Sequence, residues 1–469
     1  MDILKATVFL AMLGSLTAQT DCETGGAEDD VDGDGWTVEL GDCDDEDASV
    51  YPGAEEDTCN GVDDDCDGAA DSDITYVDAD ADPAVADGTS WATAWSGFDA
   101  LSEADSCIWV AEGTYRTTQI NGTFFIMSDE QQLYGGFDGS ESTRAARAEL
   151  FTSTILDADV NLSGGRDAGD NHHLLKLADE VTVDGFTLQG GYADGGDPGG
   201  YGGAIYGDGN NDVVLRNLIV QDNEAVVHGG ALSVDNCTIT IERCKFNRNY
   251  AADNGGAIAG WWGTELTIID SQFNSNESYY NGGAIFMALG RGDLTILNTA
   301  FYDNTTRDSG GAISFGNYSD LRIDNSSFYL NDAAYNAGAI LTWDEVDETT
   351  IYNSVFWSNI VHDGTEAEIQ DLSSALDIQY TASMYELAGE GNQQLEMTPF
   401  YGVDIDGDDI EELLLNELTG AVNGGSDALA NTQVLADERW WEGMTALYSC
   451  AEDTDALDLG IHVEVTSCQ

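Results

Sequence analysis

Aspartates recur at alternate positions in two short loops near the start of the chain. The loops consist of Asp30, Asp32, Asp34 and Gly35, and of Asp63, Asp65, Asp67 and Gly68. Carboxylates spaced two residues apart converge on one hard cation when a glycine permits the turn, and calcium takes roughly six to eight oxygen ligands. The spacing therefore predicts calcium at both loops, with Asp42 and Asp44 between them as further metal ligands.

Neither loop is an EF-hand, because Gly41 and Ile74 stand where the glutamate of the twelfth loop position would be. The segment that carries the loops has no His or Met, whereas copper sites are built from imidazole and sulfur ligands. Its oxygen ligands therefore favour calcium over copper. The alternative is a solvated acidic linker that binds no metal.

Three stretches of this segment carry a family resemblance, namely Gly41–Asp45, Tyr51–Glu55 and Cys59–Gly68. Together they resemble a small metal-binding motif, rich in Asp and Cys, that is found on secreted bacterial proteins. One relative of that motif suggests a copper site. The resemblance implies a metal-binding module on an exported protein.

Charge and the first residues bear on where the protein works. The chain carries 89 Asp and Glu against 14 Lys and Arg, a formal net charge of −75, which makes nucleic acid and anionic membranes poor partners. Residues 1–18 contain an apolar run from Ala6 to Leu16 and predict a signal peptide; the alternative is a buried helix of the mature protein. No other apolar run is long enough to span a membrane, so an extracellular or cell-surface location is expected.

Nine cysteines suit an exported protein with disulfides. Two groups lie near the ends, and we expect pairing within each group. These groups are Cys22, Cys43, Cys59 and Cys66, and Cys450 and Cys468. Cys237 and Cys244 flank one predicted strand and are too far apart to bond if it is extended.

A Gly-Gly-Ala-Ile motif recurs at intervals of 26 to 28 residues. Its first residues are Gly202, Gly229, Gly255, Gly282, Gly310 and, in weakened form, Ala337. An aromatic residue followed three positions later by Asn recurs with it. These pairs are Phe246 and Asn249, Phe273 and Asn276, Phe301 and Asn304, Phe328 and Asn331, and Phe356 and Asn359. A period this regular, with short β-type runs between turn residues, predicts stacked coils of parallel strands.

The stacking assigns places to the repeated side chains. Phe273 and Phe301 should face inward in one aromatic column, with Asn276 and Asn304 in a ladder of side-chain amides at the next turn. Over residues 181–360 the Gly-Gly-Ala-Ile motif and the aromatic–Asn pair together resemble the repeat of the polymorphic outer-membrane proteins. That resemblance implies an all-β fold, a right-handed parallel β-helix of the pectin-lyase type, on bacterial surfaces.

These features divide the chain into five predicted segments. They are a signal peptide (1–18), an acidic Asp/Cys-rich metal-binding module (19–73), an N-terminal cap with the first coils (74–160), the parallel β-helix repeats (161–395) and a C-terminal coil and cap (396–469). A helix around Phe98 to Ala104 is expected to cover the open end of the first coil, because a bare end would expose core and strand edges.

Parallel β-helices include polysaccharide lyases and glycoside hydrolases, so an enzyme acting on acidic glycans is the alternative function. Such a hydrolase needs two carboxylates facing one groove. Asp270 and Asp324 are instead predicted to serve turns, and the basic cluster of Arg243, Lys245 and Arg248 is predicted to be a solvated edge. No catalytic residue is assigned.

Aromatic residues follow the Ala-Ile strand in successive repeats. They are Trp261, Trp262, Phe286, Phe315 and Trp343. Stacking in the core is favoured for them over a sugar-binding strip. The expected function is that of a secreted or cell-surface β-helix protein with an adhesive or structural role, and its expected partner is a glycan or the surface of a host or neighbouring cell.

Overall fold

The fold is taken from a computed structural model of the chain. It describes residues 30–54, 57, 59–68, 74–102, 105–116, 122–147, 153–163, 170–196, 198–288, 290–316, 318–343, 346–362, 368–372, 376–379, 381–383, 387, 389, 392–394, 400–403 and 412–415. The predicted signal peptide and Cys22 lie outside the described residues. So do Cys450, Cys468 and most of the predicted C-terminal cap.

The described residues belong to two compact units. The acidic unit lies within Met1–Asp57 and Val62–Asp71, and the solenoid unit within Thr58–Gly61 and Ser72–Gln469. Among its described residues the acidic unit has one 3-10 turn, Val38–Leu40, and no strand. Because its described residues include little apolar material, hydrogen bonds and a disulfide between Cys43 and Cys66 hold them together.

The solenoid unit is a parallel β-solenoid of about nine turns, as predicted from the repeats. Each full coil visits four parallel sheets in order. The Gly-Gly-Ala-Ile sheet contains Thr123–Ile126, His173–Lys176, Ile205–Asp208, Leu232–Asp235, Ile258–Trp261, Ile285–Ala288, Ile313–Phe315, Ile340–Thr342 and Ile369–Asp371. The aliphatic sheet contains Ile74–Val77, Cys107–Ala111, Gln132–Phe137, Thr182–Asp184, Val213–Arg216, Thr238–Glu242, Glu265–Ile269, Leu294–Leu297, Asp320–Asp324, Glu348–Tyr352 and Leu376–Gln379. The phenylalanine sheet contains Gly113–Tyr115, Thr154–Asp157, Thr187–Gln189, Ile219–Gln221, Lys245–Asn247, Gln272–Asn274, Ala300–Tyr302, Ser327–Tyr329, Val355–Trp357, Ala382–Ser383 and Gln393–Gln394. The short sheet contains Tyr192–Ala193, Glu224–Ala225, Tyr250–Ala251, Glu277–Ser278, Thr305–Thr306, Asp332–Ala333 and Ile360–Val361. Phe400–Val403 and Glu412–Leu415 form a separate antiparallel pair.

Bends with positive φ separate the short strands. Gly255 opens one bend with φ of +69°, and a Cβ there would lie 2.1 Å from the carbonyl oxygen of Ile258. Two other bends of a coil often use short polar residues, such as Asn298 at φ +48° and Asp303 at φ +57°, although Arg243, Arg248 and Leu330 occupy the same places in other coils. Asn and Asp tolerate this conformation better than most residues, which explains why they mark the repeat.

The predicted aromatic column is confirmed. The rings of Phe246, Phe273, Phe301, Phe328 and Phe356 stack nearly parallel, with centroids 4.6 to 4.9 Å apart. All five side chains are fully buried. In-register pairing places each ring directly over the one in the preceding coil, so the column fills the core along the stack.

The predicted asparagine ladder is confirmed as well. The side-chain amide of Asn276 donates to Oδ1 of Asn304 at 2.9 Å, and that of Asn304 donates to Oδ1 of Asn331 at 2.9 Å. Each amide also donates backwards to a backbone carbonyl, as Asn304 does to Phe273 at 2.8 Å. The ladder thus satisfies polar groups that no water reaches.

The entry to the solenoid differs from the expectation. The helix predicted around Phe98 to Ala104 is replaced by a single 3-10 turn, Phe98–Ala100, because the backbone adopts an extended conformation at Leu101. The ring of Phe98 packs edge-on against Tyr115, Phe124 and Phe125, as a cover for the first coils requires. Two other 3-10 turns of this unit are Trp91–Thr93 and Arg144–Ala146. No described helix has the length and apolar character needed to cross a membrane.

Disulfide pairing follows the fold rather than sequence proximity. Cys43 bonds Cys66 within the predicted N-terminal group. Cys59 bonds Cys107, the first residue of the second strand in the aliphatic sheet, so the expectation of pairing only within that group is wrong. Cys237 and Cys244 are buried free thiols, in agreement with the prediction that they do not bond.

Removal of one ring should expose how much the aromatic column contributes to stability. Phe301→Ala is expected to lower the free energy of unfolding by about 3–5 kcal/mol, because it leaves a cavity between two stacked rings. Denaturant unfolding of the full chain measures this. Tyr335→Ala, at a side chain that is 56% exposed, is the control and should change stability by less than about 0.5 kcal/mol. Equal effects of both variants would contradict the inward column.

Candidate metal centre

The first aspartate loop brings three carboxylates together. One oxygen each from Asp30, Asp32 and Asp34 lies within 4.8 Å of the others. Oδ1 of Asp30 accepts the N–H of Gly33 at 2.8 Å, and its Oδ2 accepts the N–H of Gly35 at 3.1 Å. Gly35 has φ of +101°, which lets the chain wrap around the carboxylates.

The second loop repeats this arrangement. Asp63, Asp65 and Asp67 again place one carboxylate oxygen each within 4.8 Å of the others. Oδ2 of Asp63 accepts the N–H of Gly68 at 2.9 Å, so the first aspartate of each loop binds the amide of a glycine five residues later. Both predicted triads are therefore assembled in the structure.

The two remaining predicted ligands differ from each other. Asp44 is exposed and lies outside both triads. Asp42 is buried, with 4% of its surface exposed, and the residue after it is Cys43. The disulfide from Cys43 enters the second loop at Cys66, between two of its aspartates. Sequence spacing alone did not assign Asp42 to either loop.

Repulsion among these carboxylates is visible in the first loop. Loss of hydration raises the pKa of Asp32, and the charges of Asp34, Asp42 and Asp30 raise it further. Oδ2 of Asp32 and Oδ2 of Asp34 are buried and accept no hydrogen bond. Such oxygens are costly unless a positive charge approaches them. The loop therefore fits a cation.

The comparison with known protein families bears on this unit. Residues 42–72 match a family model, named for copper binding in MopE, whose description is "Putative metal-binding motif". The matched stretch resembles that motif; it begins at Asp42 and contains the second loop but not the first. No curated protein matches the chain.

Copper fits these donors poorly. Residues 19–73 hold no His and no Met. Cys43, Cys59 and Cys66 are bound in disulfides, so the described cysteines here offer no thiolate. What remains is carboxylate and carbonyl oxygen, the ligand set of calcium, magnesium and manganese. The donor chemistry therefore supports a hard divalent cation.

Of the two aspartates that were predicted to serve turns, Asp270 lies at a bend, and Asp324 is the strand residue that directly precedes the next bend residue of that column, Asn325. Asp270 has φ of +50° and its Oδ1 accepts the amide of Asn298 at 2.7 Å. Oδ1 of Asp324 accepts the amide of Asn353 at 3.1 Å. Each aspartate thus accepts a hydrogen bond from the side-chain amide of an asparagine in the next coil.

The basic cluster is only partly the solvated edge that was predicted. Arg248 is exposed and pairs with Asp222 at 2.8 Å. Arg243 and Lys245, with 9% and 2% of their surfaces exposed, are buried, so the prediction is wrong for these two. The Nε of Arg243 donates to Oδ1 of Asn217 at 3.0 Å, a neighbour in the bend column.

The aromatic residues after the Ala-Ile strand do not share one environment. Phe315 belongs to the core, as predicted. Phe286 is buried outside it against Trp261, at 5.2 Å between centroids, because its neighbour Met287 takes the inward place. Trp343 is 37% exposed, so core stacking was the wrong prediction there. Its Nε1 donates to Ser314 at 2.9 Å on the outer side of the sheet.

Asp270 should make the stability of the solenoid depend on pH. Burial raises its pKa from 3.8 to about 6. The folded state therefore favours the neutral carboxyl. Its contribution to the free energy of unfolding is complete below pH 3.8 and is lost as pH rises through about 6. Asp270→Asn, which matches the asparagines of the same column, should raise the free energy of unfolding by about 1–3 kcal/mol at pH 7 and change it little at pH 4.

Denaturant unfolding at both pH values measures this difference. Asp303→Asn, at an exposed bend residue with φ of +57°, is the matched control and should show no such dependence. If Asp270→Asn were equally stabilising at pH 4 and pH 7, the buried carboxyl would not be the cause.

Proposed function

We propose that this protein is an exported, calcium-binding β-solenoid protein with an adhesive or structural role at the cell surface. The observation that carries the proposal is the pair of aspartate triads in the acidic unit, each with three carboxylate oxygens within 4.8 Å. The solenoid unit provides a rigid stacked scaffold, and the acidic unit provides the cation sites.

Calcium is the cation that these donors suit best. It accepts carboxylates in variable geometry, whereas magnesium demands a near-octahedral set and keeps several waters. Two loops that each begin with an aspartate bound to a glycine amide resemble the entry of a calcium loop. The family model is named for copper binding, but residues 19–73 contain no imidazole or thioether ligand for copper.

Export is supported by covalent chemistry. The disulfides Cys43–Cys66 and Cys59–Cys107 suit an oxidising compartment, and residues 1–18 have the pattern of a signal peptide. The net charge of −75 argues against nucleic acid or an anionic membrane as partner. A glycan or the surface of a neighbouring cell is the proposed partner, with exposed rings such as Trp262 and Trp343 available for contact.

Catalysis on acidic glycans is the competing function. Asp270 and Asp324 give it no support, because an asparagine amide binds one carboxylate oxygen of each. A depolymerisation screen on uronate-containing glycans, run with calcium and with chelator, separates the two functions. Clear turnover would overturn the structural role.

Calcium removal should loosen the acidic unit alone. Unloaded carboxylates repel one another, and this unit has little apolar material to resist them. Limited proteolysis of the full chain in chelator should therefore produce cuts before Tyr76, and added calcium should protect those sites. The solenoid unit should resist in both conditions, because its buried columns do not depend on a cation.

A double variant tests whether the triads are responsible. Asp30→Asn with Asp63→Asn should remain sensitive to protease before Tyr76 even with calcium present. Asp82→Asn, an acidic residue outside both triads, is the control and should be protected by calcium like the natural chain. Equal resistance of the natural chain with calcium and with chelator would refute calcium binding.

A further inference from the structure

One face of the phenylalanine sheet is buried although it points away from the core. In each short strand of this sheet the phenylalanine points inward, so the residues on either side of it point outward. Six of these outward residues are at most 6% exposed and define the outer phenylalanine face. They are Lys245, Asn247, Gln272, Ala300, Tyr302 and Ser327. Its apolar members, Ala300 and Tyr302, do not belong to the hydrophobic core cluster of the solenoid.

The aliphatic sheet shows how exposed the outward residues of an open face are. Its strands alternate in the same way, and the outward threonines of three successive coils are only half-buried. They are Thr240, Thr267 and Thr295. Lys245 and Tyr302 have longer side chains than these threonines, and on an open face they would be more exposed. The outer phenylalanine face is therefore covered.

Two buried polar side chains indicate what the cover has to provide. Asn247 is fully buried, and neither Nδ2 nor Oδ1 of its side chain makes a hydrogen bond to a described residue. Lys245 is paired in register with Ile219 and Gln272 on the adjacent strands, and neither of these carries a charge. A buried ammonium group is costly unless a carboxylate pairs with it. A polypeptide segment rich in Asp and Glu provides backbone hydrogen-bonding groups as well as carboxylates.

The C-terminal segment of the chain, residues 395–469, has these properties. It follows Gln393–Gln394, the last strand of the phenylalanine sheet, so it begins at one end of this sheet. Arg439 is its one Lys or Arg residue, whereas Asp and Glu recur along it. Within it, residues 457–465 alternate apolar with polar side chains or glycine, which is the pattern of a strand with one apolar side.

The C-terminal segment is also long enough. Neighbouring strands of a sheet lie about 4.8 Å apart, so the five strands from Ile219–Gln221 to Ser327–Tyr329 extend over about 19 Å. An extended chain rises about 3.3 Å per residue, so about six or seven residues cross this distance. The alternating stretch of residues 457–465 alone meets that requirement.

We propose that the C-terminal segment packs along the outer phenylalanine face of its own chain and that one of its carboxylates pairs with Lys245. The face is then an interface within the chain and is not available to a glycan or a cell surface. A partner of the solenoid has to bind elsewhere, for example at the exposed rings of Trp262 and Trp343. The inference does not depend on calcium binding.

Lysine acylation measures the cover directly, because the chain has only the lysines Lys5, Lys176 and Lys245. Lys176 is exposed and is the internal control. In the intact chain Lys245 should react at least about tenfold more slowly than Lys176, since it reacts only when its cover opens. Peptide mass spectrometry after brief treatment with an acetylating N-hydroxysuccinimide ester measures both rates. Similar rates at the two lysines would show an open face and overturn the proposal.

Cutting the folded chain identifies what the cover is. A site for a specific protease, inserted between Leu395 and Glu396, allows the C-terminal segment to be severed after folding. The segment is then removed by gel filtration at a urea concentration that leaves the circular dichroism of the solenoid unchanged. Lys245 should now react about as fast as Lys176. If Lys245 stays protected, its cover is residues 1–29 or a second copy of the chain, and the proposal is overturned.

A charge variant tests the same contact in the uncut chain, and it decides the matter if the severed segment is not released. Lys245→Glu places a carboxylate against an acidic segment, so proteolysis within residues 395–469 should become at least about tenfold faster. Lys176→Glu, at an exposed position in another sheet, is the matched control and should leave that rate unchanged. Lys245→Met removes the charge but keeps the length of the side chain, and its rate should lie between the two. Circular dichroism checks that each variant is folded. Equal rates in Lys245→Glu or, should that variant not fold, in Lys245→Met and in Lys176→Glu would show that the segment does not pack at Lys245.

Discussion

Buried polar groups in a stack of coils must find their partners one coil away, and this constraint governs the solenoid. Asn304 receives hydrogen bonds from the amide and backbone of Asn276 and passes one on to Asn331. A residue that breaks the column leaves donors and acceptors unpaired on both sides. The repeated asparagine is therefore demanded by its neighbours, and each coil fixes the register of the next.

The acidic unit obeys a different constraint, since it has almost no apolar core to offset its charges. Its order comes from backbone hydrogen bonds, such as those from Tyr51 to Asp64 and from Gly53 to Asp65, and from the Cys43–Cys66 disulfide. Carboxylates crowded in this way favour expansion until a cation neutralises them. Folding and cation binding are thus expected to be linked in this unit, while the solenoid holds its shape through apolar columns.

The repeat period predicted most of the fold. It did not predict contacts between residues that are not one repeat apart. Phe301 and Asn304 could be placed from sequence because the same residue types recur at the same step. The Cys59–Cys107 disulfide was not predicted, because the two cysteines are 48 residues apart and neither belongs to a repeated motif. The outward place of Phe286 was missed because a strand of four residues gives too little alternation to show which face each side chain takes.

Two buried aspartates of the solenoid show how the fold accommodates a single carboxylate. Despite burial, which raises the pKa of Asp184, the guanidiniums of Arg147 and Arg216 lower it, and both groups bind it directly at 3.0 Å. At Asp270 the effect of burial outweighs the opposing charge of Arg243 and raises the pKa to about 6. Each of these is a solution for a single buried carboxylate.

A cluster cannot use either solution for all of its members. The described residues of the acidic unit include no Arg, Lys or His, so none of these side chains supplies a positive charge. Ionised carboxylates that lie this close together repel one another, which disfavours the cluster unless a positive charge offsets them. The spacing of aspartates predicted where the carboxylates meet, and the structure adds that Oδ2 of Asp32 and Oδ2 of Asp34 are buried without a hydrogen bond. A cation beside Asp30, Asp32 and Asp34 would offset their charges together, and for this reason the spacing of the carboxylates supports the proposed cation site.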